Sequence, residues 1–426
     1  MTALVLAYRA PVRHALDVLW GAVEVTPTTA RLPVVAAEPA DLEGAVRAAV
    51  AAHGRVVVAW SFYSAGFEAA AAALAALRAA CPGPGVLHVA GGPHASAAPA
   101  ATLAAGFDLV ATGEGELTLP ALMARVAAGE DPRLAPGLAW LDGEGRLATG
   151  ARPPMIALDD FPPCAPGAVR RGPIGITRGC VWACRFCQTP FLFKARFRHR
   201  SLEGVRRWAR WLYGTGARDL RFLTPSALSW GSADGGVDLD AVEALLATVR
   251  EEAGPSRRVF FGTFPSELRP EHVSARALAL VRRHCDNGTV LLGGQSGSPR
   301  VLEAMGRGHG VEDVERAARL AVEAGLVPDV DLVFGLPGEE EADRAATRAL
   351  AARLAAAGAR VHAHAFMPLP GTPWASAAPG EIDAETRRLL DRLASAGHAH
   401  GQWRRQERLA AASKPPLAPH RGQVDG

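Results

Sequence analysis

Short apolar, β-branched runs alternate with alanine-rich helical stretches through most of the 426 residues. A strand followed by a helix returns to its sheet in the same direction, so this alternation confines the chain to parallel βαβ units. In the first 150 residues the predicted strands are Ala3–Tyr8, Val34–Ala37, Val56–Phe62, Val86–Ala90 and Leu109–Thr112, and the run Ala69 to Ala80 reads as one of the helices between them. Small, flexible turns follow several strands: Ser61-Phe62-Tyr63-Ser64, Gly91-Gly92-Pro93-His94 and Gly113-Glu114-Gly115-Glu116. Ligands of open parallel sheets sit at the carboxyl ends of the strands, where such turns let backbone approach a cofactor.

Proline density interrupts the alternation between Arg152 and Pro173, a segment with neither helical nor strand period. Proline fixes φ and removes a donor, so this stretch cannot join a sheet and reads as a linker. Beyond it the alternation resumes, with strands expected at Ile174–Thr177, Leu220–Leu223, Val259–Thr263, Val290–Gly293, Val330–Phe334 and Val361–Phe366. Six βα units fit a partial (β/α)6 barrel of the TIM type. The expected layout is a Rossmann-like parallel-sheet domain at 1–150, a linker at 151–172, the barrel at 173–375, and a helix with a basic, disordered tail at 376–426.

The charge balance, 46 basic against 43 acidic residues, argues against a protein that coats nucleic acid. With 49% apolar and 21% charged residues the composition is globular, no window suits a membrane span, and no charged leader precedes the first strand. A cytoplasmic protein is expected. Six cysteines are too few for a disulfide scaffold in a chain of this length, yet three crowd into TRGCVWACRFCQTP, directly after the first barrel strand. Structural zinc sites close with four protein ligands, so Cys180, Cys184 and Cys187 without a nearby fourth point to an iron–sulfur cluster with one open iron. A zinc loop or three buried thiols is the plainer reading.

The C-x3-C-x-Φ-C pattern, with Phe186 before the last cysteine, resembles the signature of the radical S-adenosylmethionine (SAM) superfamily. The resemblance implies that the three thiolates hold a 4Fe-4S cluster and that the amine and carboxylate of SAM chelate the fourth iron. It further implies that an electron cleaves the sulfonium to give a 5′-deoxyadenosyl radical, with Phe186 packed near the adenine. Other strand ends fit the same family. Thr224 and Ser226, in Leu223-Thr224-Pro225-Ser226, stand where the family usually grips the methionyl amine through Gly-Gly-Glu. Gln295 and Ser296 are candidates for the ribose hydroxyls, and Arg307 for the SAM carboxylate as a planar fork. Gly335, in Phe334-Gly335-Leu336-Pro337-Gly338-Glu339, resembles the adenine-contacting segment, with Glu339 anchoring the turn or capping the next helix. The stretch from Phe366 to Pro373 resembles the closing segment of the branch that holds the methylthiotransferases and many cobalamin-dependent members.

The first 150 residues are similar to the cobalamin-binding-like domain that precedes the barrel in a large subclass. Ser61, Gly91, Gly92, Gly113 and Gly115 are the implied cofactor contacts. The Asp-x-His-x-x-Gly motif of the better-known corrinoid carriers does not occur, and neither His53 nor His94 stands in that pattern. The alternatives are a corrinoid held without that histidine, or a lid that covers the barrel or binds substrate. A dinucleotide fits less well, because no Gly-x-Gly-x-x-Gly turn follows the first strand.

The expected activity is therefore that of a cobalamin-dependent radical SAM enzyme, a methyltransferase acting on carbon. It would take a small-molecule or peptide substrate and a reductant such as flavodoxin or ferredoxin, with no nucleic acid or membrane. A methylthiotransferase is the second enzyme reading, although that family adds amino-terminal cysteine ligands and a carboxyl-terminal RNA-binding module. An electron-transfer or metal-sensing protein is the non-enzymatic one. His362 and His364 are two apart on a strand and so share one face, and they read as interior or rim polar groups unless they donate protons or orient substrate; Asp331 is a similar case. Cys81, Cys164 and Cys285 stand alone and read as small buried hydrophobes.

Overall fold

The computed structural model describes residues 1–412. The part of the expected disordered tail beyond Ala412 lies outside the described residues. Seven strands form the first sheet: β1 (Thr2–Ala7), β2 (Val34–Ala37), β3 (Arg55–Ser61), β4 (Val86–Gly91), β5 (Leu109–Ala111), β6 (Leu138–Leu141) and β7 (Leu147–Thr149). Their order is β2-β1-β3-β4-β5-β6-β7, parallel from β2 to β5 and antiparallel at β6 and β7. Sequence periodicity did not mark the last two. They form a hairpin held by Asp142, whose Oδ1 accepts from the N–H of Glu144 and of Arg146 at 2.9 Å each.

Helices cover both faces of this sheet. On β1, Ala3, Val5 and Ala7 enter one apolar cluster while Leu4 and Leu6 enter the other. A strand buried on both sides carries no polar alternation. Linker residues then cross the first helix, Arg13–Val25, so closely that a Cβ on Gly21 would lie 2.0 Å from the carbonyl oxygen of Cys164.

The second unit contains β8 (Ile174–Gly175), β9 (Thr177–Arg178), β10 (Arg198–His199), β11 (Asp219–Leu223), β12 (Arg258–Phe260), β13 (Thr289–Gln295), β14 (Val327–Phe334), β15 (Arg360–Ala365) and β16 (Ala399–His400). Two parallel groups, β8-β11-β12 and β13-β14-β15-β16, meet where Leu268 N–H donates to Leu291 O and Leu291 N–H donates to Gly262 O, at 2.9 and 2.7 Å. The result is a partial barrel with helices outside. β9 and β10 pair antiparallel as an excursion that carries the cysteine loop.

The segment after 375 is more structured than one helix and a tail. Helix Ala384–Ser395, β16 and helix Trp403–Ala412 follow one another. Trp403 is buried, Ala365 N–H donates to Gln406 Oε1 at 3.0 Å, and Ile382 N–H donates to Glu407 Oε1 at 2.9 Å. These bonds seat the last helix along β15, and its residues also lie against the Ser64–Gly66 turn of the first unit. The signal was one buried tryptophan in a charged, short helix.

Candidate functional site

The cysteine loop leaves β9 at Gly179, which has φ +84°, and a Cβ there would lie 1.8 Å from Arg196 O. Only glycine lets the loop close at this point. Cys184 is buried, Cys180 and Cys187 are half-buried, and helix Gln188–Leu192 begins immediately after. The three thiols are near enough to influence one another's ionisation. Among the described residues, the trio of ligand atoms lying within 4.8 Å of one another is Asp331, His362 and His364, not the cysteines. One tetrahedral zinc, with Zn–S near about 2.3 Å, would draw its sulfurs closer than that. A larger multi-iron cluster fits the wider spacing. Burial pushes the Cys180 thiol up to about 11 and raises Cys187 as well, so thiolates here need a bound cation to compensate them.

Around the loop stands a buried charged set, of which sequence reasoning found Arg307 and missed Glu267, Arg269 and Glu271. Arg307 donates to Gly293 O at 2.7 Å, lies 3.3 Å from Glu267 Oε1, and points Nη1 at Cys184 Sγ from 3.7 Å. Arg269 stacks on Trp182 with its guanidinium carbon 3.8 Å from the ring centroid and pairs with Glu271 at 2.6 Å. Arg307 was expected to grip the SAM carboxylate. Its Nη atoms meet a backbone carbonyl, Glu267 and a cysteine sulfur, while its buried Nε has no partner among the described residues.

Other sequence candidates divide in the same way. Ser226 is fully buried, with its hydroxyl 2.9 Å from that of Ser229, and Ser296 is fully buried against Thr347 Oγ1 at 3.2 Å. Both hydroxyls are engaged by protein hydroxyls. A Cβ on Gly335 would lie 2.7 Å from Glu381 N, so close passage of residues 380–381 requires that glycine. Glu339 does anchor the turn, accepting from Gly335 N–H and Leu336 N–H at 3.1 and 3.0 Å, and burial raises its carboxyl to about 7. Thr224 lines a cavity, although its hydroxyl donates to Ser226 O at 3.1 Å. Gln295 ends β13 at φ +69°, a conformation that costs a non-glycine residue roughly 1–2 kcal/mol. Its amide makes no hydrogen bond among the described residues. Isolated Cys164 is buried, its thiol pushed up to about 12 by burial, which leaves it inert.

Between the two units lie three adjoining cavities of about 820, 390 and 380 Å³. Ser61, Gly91, Gly92, Gly113 and Gly115 all line the largest, together with apolar side chains of the first helix and of helix Gly115–Ala128. The third joins the two chemistries, because Gly92 and Gly113 share its wall with Phe186 and Cys187. Sequence reasoning also missed His14, which lines the two larger cavities. Its Nδ1 is buried without a partner, and burial lowers the imidazole to about 4, so it is neutral.

Ion pairs clamp this interface. Glu114 meets Arg198 at 2.7 Å and Arg178 at 2.8 Å, while Glu116 meets Arg178 at 2.7 Å. Burial pushes Glu114 upward, and the two guanidiniums more than offset it, so its carboxyl sits below the ordinary range.

The family model of the radical SAM superfamily matches residues 174–351, and that of the B12 binding domain matches residues 34–123. The chain thus carries a radical SAM domain preceded by a B12-binding domain, the combination found in cobalamin-dependent radical SAM enzymes. Its fold is similar to that of the radical SAM methyltransferase TsrM from Kitasatospora setae, solved with cobalamin and a 4Fe-4S cluster bound. That likeness has a TM-score of 0.68 at 19% identity, over 88% of this chain and 77% of that one. The cobalamin-dependent SAM radical enzyme OxsB, solved with aqua-cobalamin, matches with a TM-score of 0.62 at 12% identity, over 82% and 51%. Among curated relatives, the tRNA-2-methylthio-N(6)-dimethylallyladenosine synthase of Prosthecochloris aestuarii is 34% identical over 181 residues, covering 42% of this chain and 39% of that protein. The chain thus spans about two fifths of the length of such relatives. The two matched domains imply a 4Fe-4S cluster, SAM and cobalamin, and the donor set and interface cavities fit those groups.

Proposed function

We propose that the chain is a cobalamin-dependent methyltransferase that acts on a carbon of a small-molecule or peptide substrate, fed by a flavodoxin- or ferredoxin-type reductant. The observation that carries this reading is the shared cavity wall: Phe186 and Cys187 of the cluster loop face Gly92 and Gly113 of the B12-like unit. When bound, the cluster with SAM would supply one-electron cleavage of the sulfonium, and the corrinoid a transferable methyl group. Cys180, Cys184 and Cys187 would hold the cluster. The turns at Ser61, Gly91–Gly92 and Gly113–Gly115 would seat the corrinoid. Thr224, Gln295 and Phe186 would position SAM. The Glu114–Arg178–Arg198 clamp holds the units together and excludes water from the reacting space. We place the division between units in the proline-rich stretch at 151–172, and the protein in the cytoplasm. No described helix is long and apolar enough to cross a membrane.

Sequence similarity to a tRNA methylthiotransferase favours a second reading, in which sulfur accompanies the methyl group. Against it, the first 150 residues hold a single cysteine, Cys81, rather than a second ligand set. Anaerobic reconstitution tests both. The methyltransferase reading expects about four irons, one corrinoid and 5′-deoxyadenosine or S-adenosylhomocysteine from SAM. Iron without retained corrinoid would remove cobalamin from the reading and leave the SAM chemistry standing.

A further inference from the structure

Strands β14 and β15 pair so that Asp331 stands beside His362 and Val333 beside His364. Val330, Leu332, Val361 and Ala363 turn outward into the helix-packed core. Strand alternation therefore points Asp331, His362 and His364 into the barrel interior. His362 Nδ1 lies 2.7 Å from Asp331 Oδ1, and His364 Nε2 lies 3.4 Å from the same oxygen.

The protons can be placed. Gln406 Oε1 accepts from Ala365 N–H at 3.0 Å, so the NH2 of that amide is the group 3.2 Å from His364 Nδ1. Nδ1 of His364 is thus an acceptor, and its proton sits on Nε2, which lies 3.4 Å from Asp331 Oδ1 and 3.2 Å from His362 Nδ1. Burial pushes Asp331 upward, and the two imidazole bonds outweigh it, so the group is a carboxylate. A carboxylate only accepts, which puts the His362 proton on Nδ1 and leaves Nε2 with a free lone pair. Nε2 has no partner among the described residues, and the side chain is 26% exposed. His400 stacks on the ring, with centroids 4.6 Å apart, and holds it in place.

We propose that His362 is the proton acceptor of the barrel interior, oriented by Asp331 and His364, and that it serves a substrate whose reacting atom loses a proton as it gains a methyl group. This rests on the methyl-transfer reading above. In the step, the electron pair of the substrate X–H bond forms the new bond to the methyl carbon. That carbon leaves its own pair on its donor, and the proton ends on His362 Nε2, giving an imidazolium beside a carboxylate. His362 is the catalytic residue, and Asp331, His364 and Gln406 are positioning residues. The location suits the role: Asp331 acts electrostatically on Glu267, which pairs with Arg307, and Arg307 touches Cys184 Sγ. The same three side chains are spaced like metal ligands, so metal binding, which would displace the His364 proton, is the rival that a Co²⁺ titration separates.

Diethyl pyrocarbonate labelling of the reconstituted full chain, mapped by peptide mass spectrometry across pH, tests the assignment. The groups facing His362 are Asp331 and Asp329 from β14, His364 and Arg360 from β15, and His400 from β16, with Gln406 and Glu267 behind them. His362 should react at least tenfold faster than His364, and Asp331→Asn should reduce that ratio severalfold. Gln406→Leu, on an edge helix, should raise His364 labelling severalfold and leave His362 unchanged. His362→Gln should retain its iron and its 5′-deoxyadenosine yield within twofold. With methyl-labelled SAM and a small-metabolite extract of the producing cells, it should transfer at least a hundredfold less label than the wild type. A wild type that transfers no label defeats the methyl-transfer reading, while the labelling pattern still decides the dyad. His364 reacting as fast as His362, an unchanged ratio of the two in Asp331→Asn, or stoichiometric Co²⁺ absorption lost in His364→Ala would overturn the proposal.

Discussion

The two halves of the chain are written in one local language, strand then turn then helix, yet their interiors differ. β1 is buried at every position, with helices on both faces. β15 alternates instead, with Val361, Ala363 and Ala365 buried and Arg360, His362 and His364 partly open. A sheet covered twice has no inner face to spare for chemistry, so its ligand sits at the strand ends, against glycine turns. A barrel strand covered once turns every second side chain into the lumen, and polar residues there are available to a substrate. On the proposed reading, the first unit seats a large group on backbone and the second acts with side chains.

Cysteine replacement should separate the halves most sharply. Cys184→Ala should abolish 5′-deoxyadenosine formation, by at least a thousandfold, and strip most of the iron while corrinoid retention survives. Loss of both groups together would mean that the units do not load independently. Next in size is Gly92→Val. Gly92 has φ +88°, and a Cβ would lie 2.7 Å from Ser61 Oγ, so valine strains the turn by roughly 1–3 kcal/mol and intrudes on the cavity. Corrinoid bound after reconstitution should fall at least tenfold with iron unchanged; equal losses of iron would contradict the division of labour.

Much of this was legible from sequence because it depends on neighbours in the chain. Strand period, glycine turns and the cysteine spacing are local, and the corresponding elements stand where they were expected. What escaped depends on residues far apart. Ser296 and Ser226 carry the right hydroxyls, but their partners, Thr347 and Ser229 within the folded turn, settle which way those hydroxyls face. Gly335 is glycine because residues 380–381 pass over it, and no local pattern announces that crossing. Arg307 was expected to face the SAM carboxylate, and its protein partners, Glu267 and Gly293 O, come from other parts of the chain, so no local pattern announces them. His14 gave no signal beyond following β1.

The interface clamp predicts a smaller effect with a pH signature. Glu114 is 9% exposed and serves two arginines, so Glu114→Gln leaves partly buried guanidiniums short of charge, at about 2–3 kcal/mol. Its carboxyl is depressed in the folded state below the ordinary 4.5. The contribution is therefore present above that value and lost as pH falls through the lower folded one. Denaturation midpoints of wild type and variant should differ at pH 7 and converge in acid. A gap that stays constant from pH 7 to pH 3 would assign the loss to packing rather than charge.

The smallest expected effect completes the contrast between charge at the interface and charge on the surface. Arg13 and Glu38 also form an ion pair, but their side chains are 51% and 42% exposed. Water solvates both partners whether or not they meet, and ordering two long side chains offsets the attraction that remains after screening. Glu38→Gln should leave the denaturation midpoint indistinguishable from wild type at pH 7, in the same assay that resolves Glu114→Gln. The two pairs look alike as contacts and differ only in how much water they exclude. Equal losses from both would show that the Glu114 clamp draws nothing from its burial between the two units, and the closed interface invoked for methyl transfer would lose its physical basis.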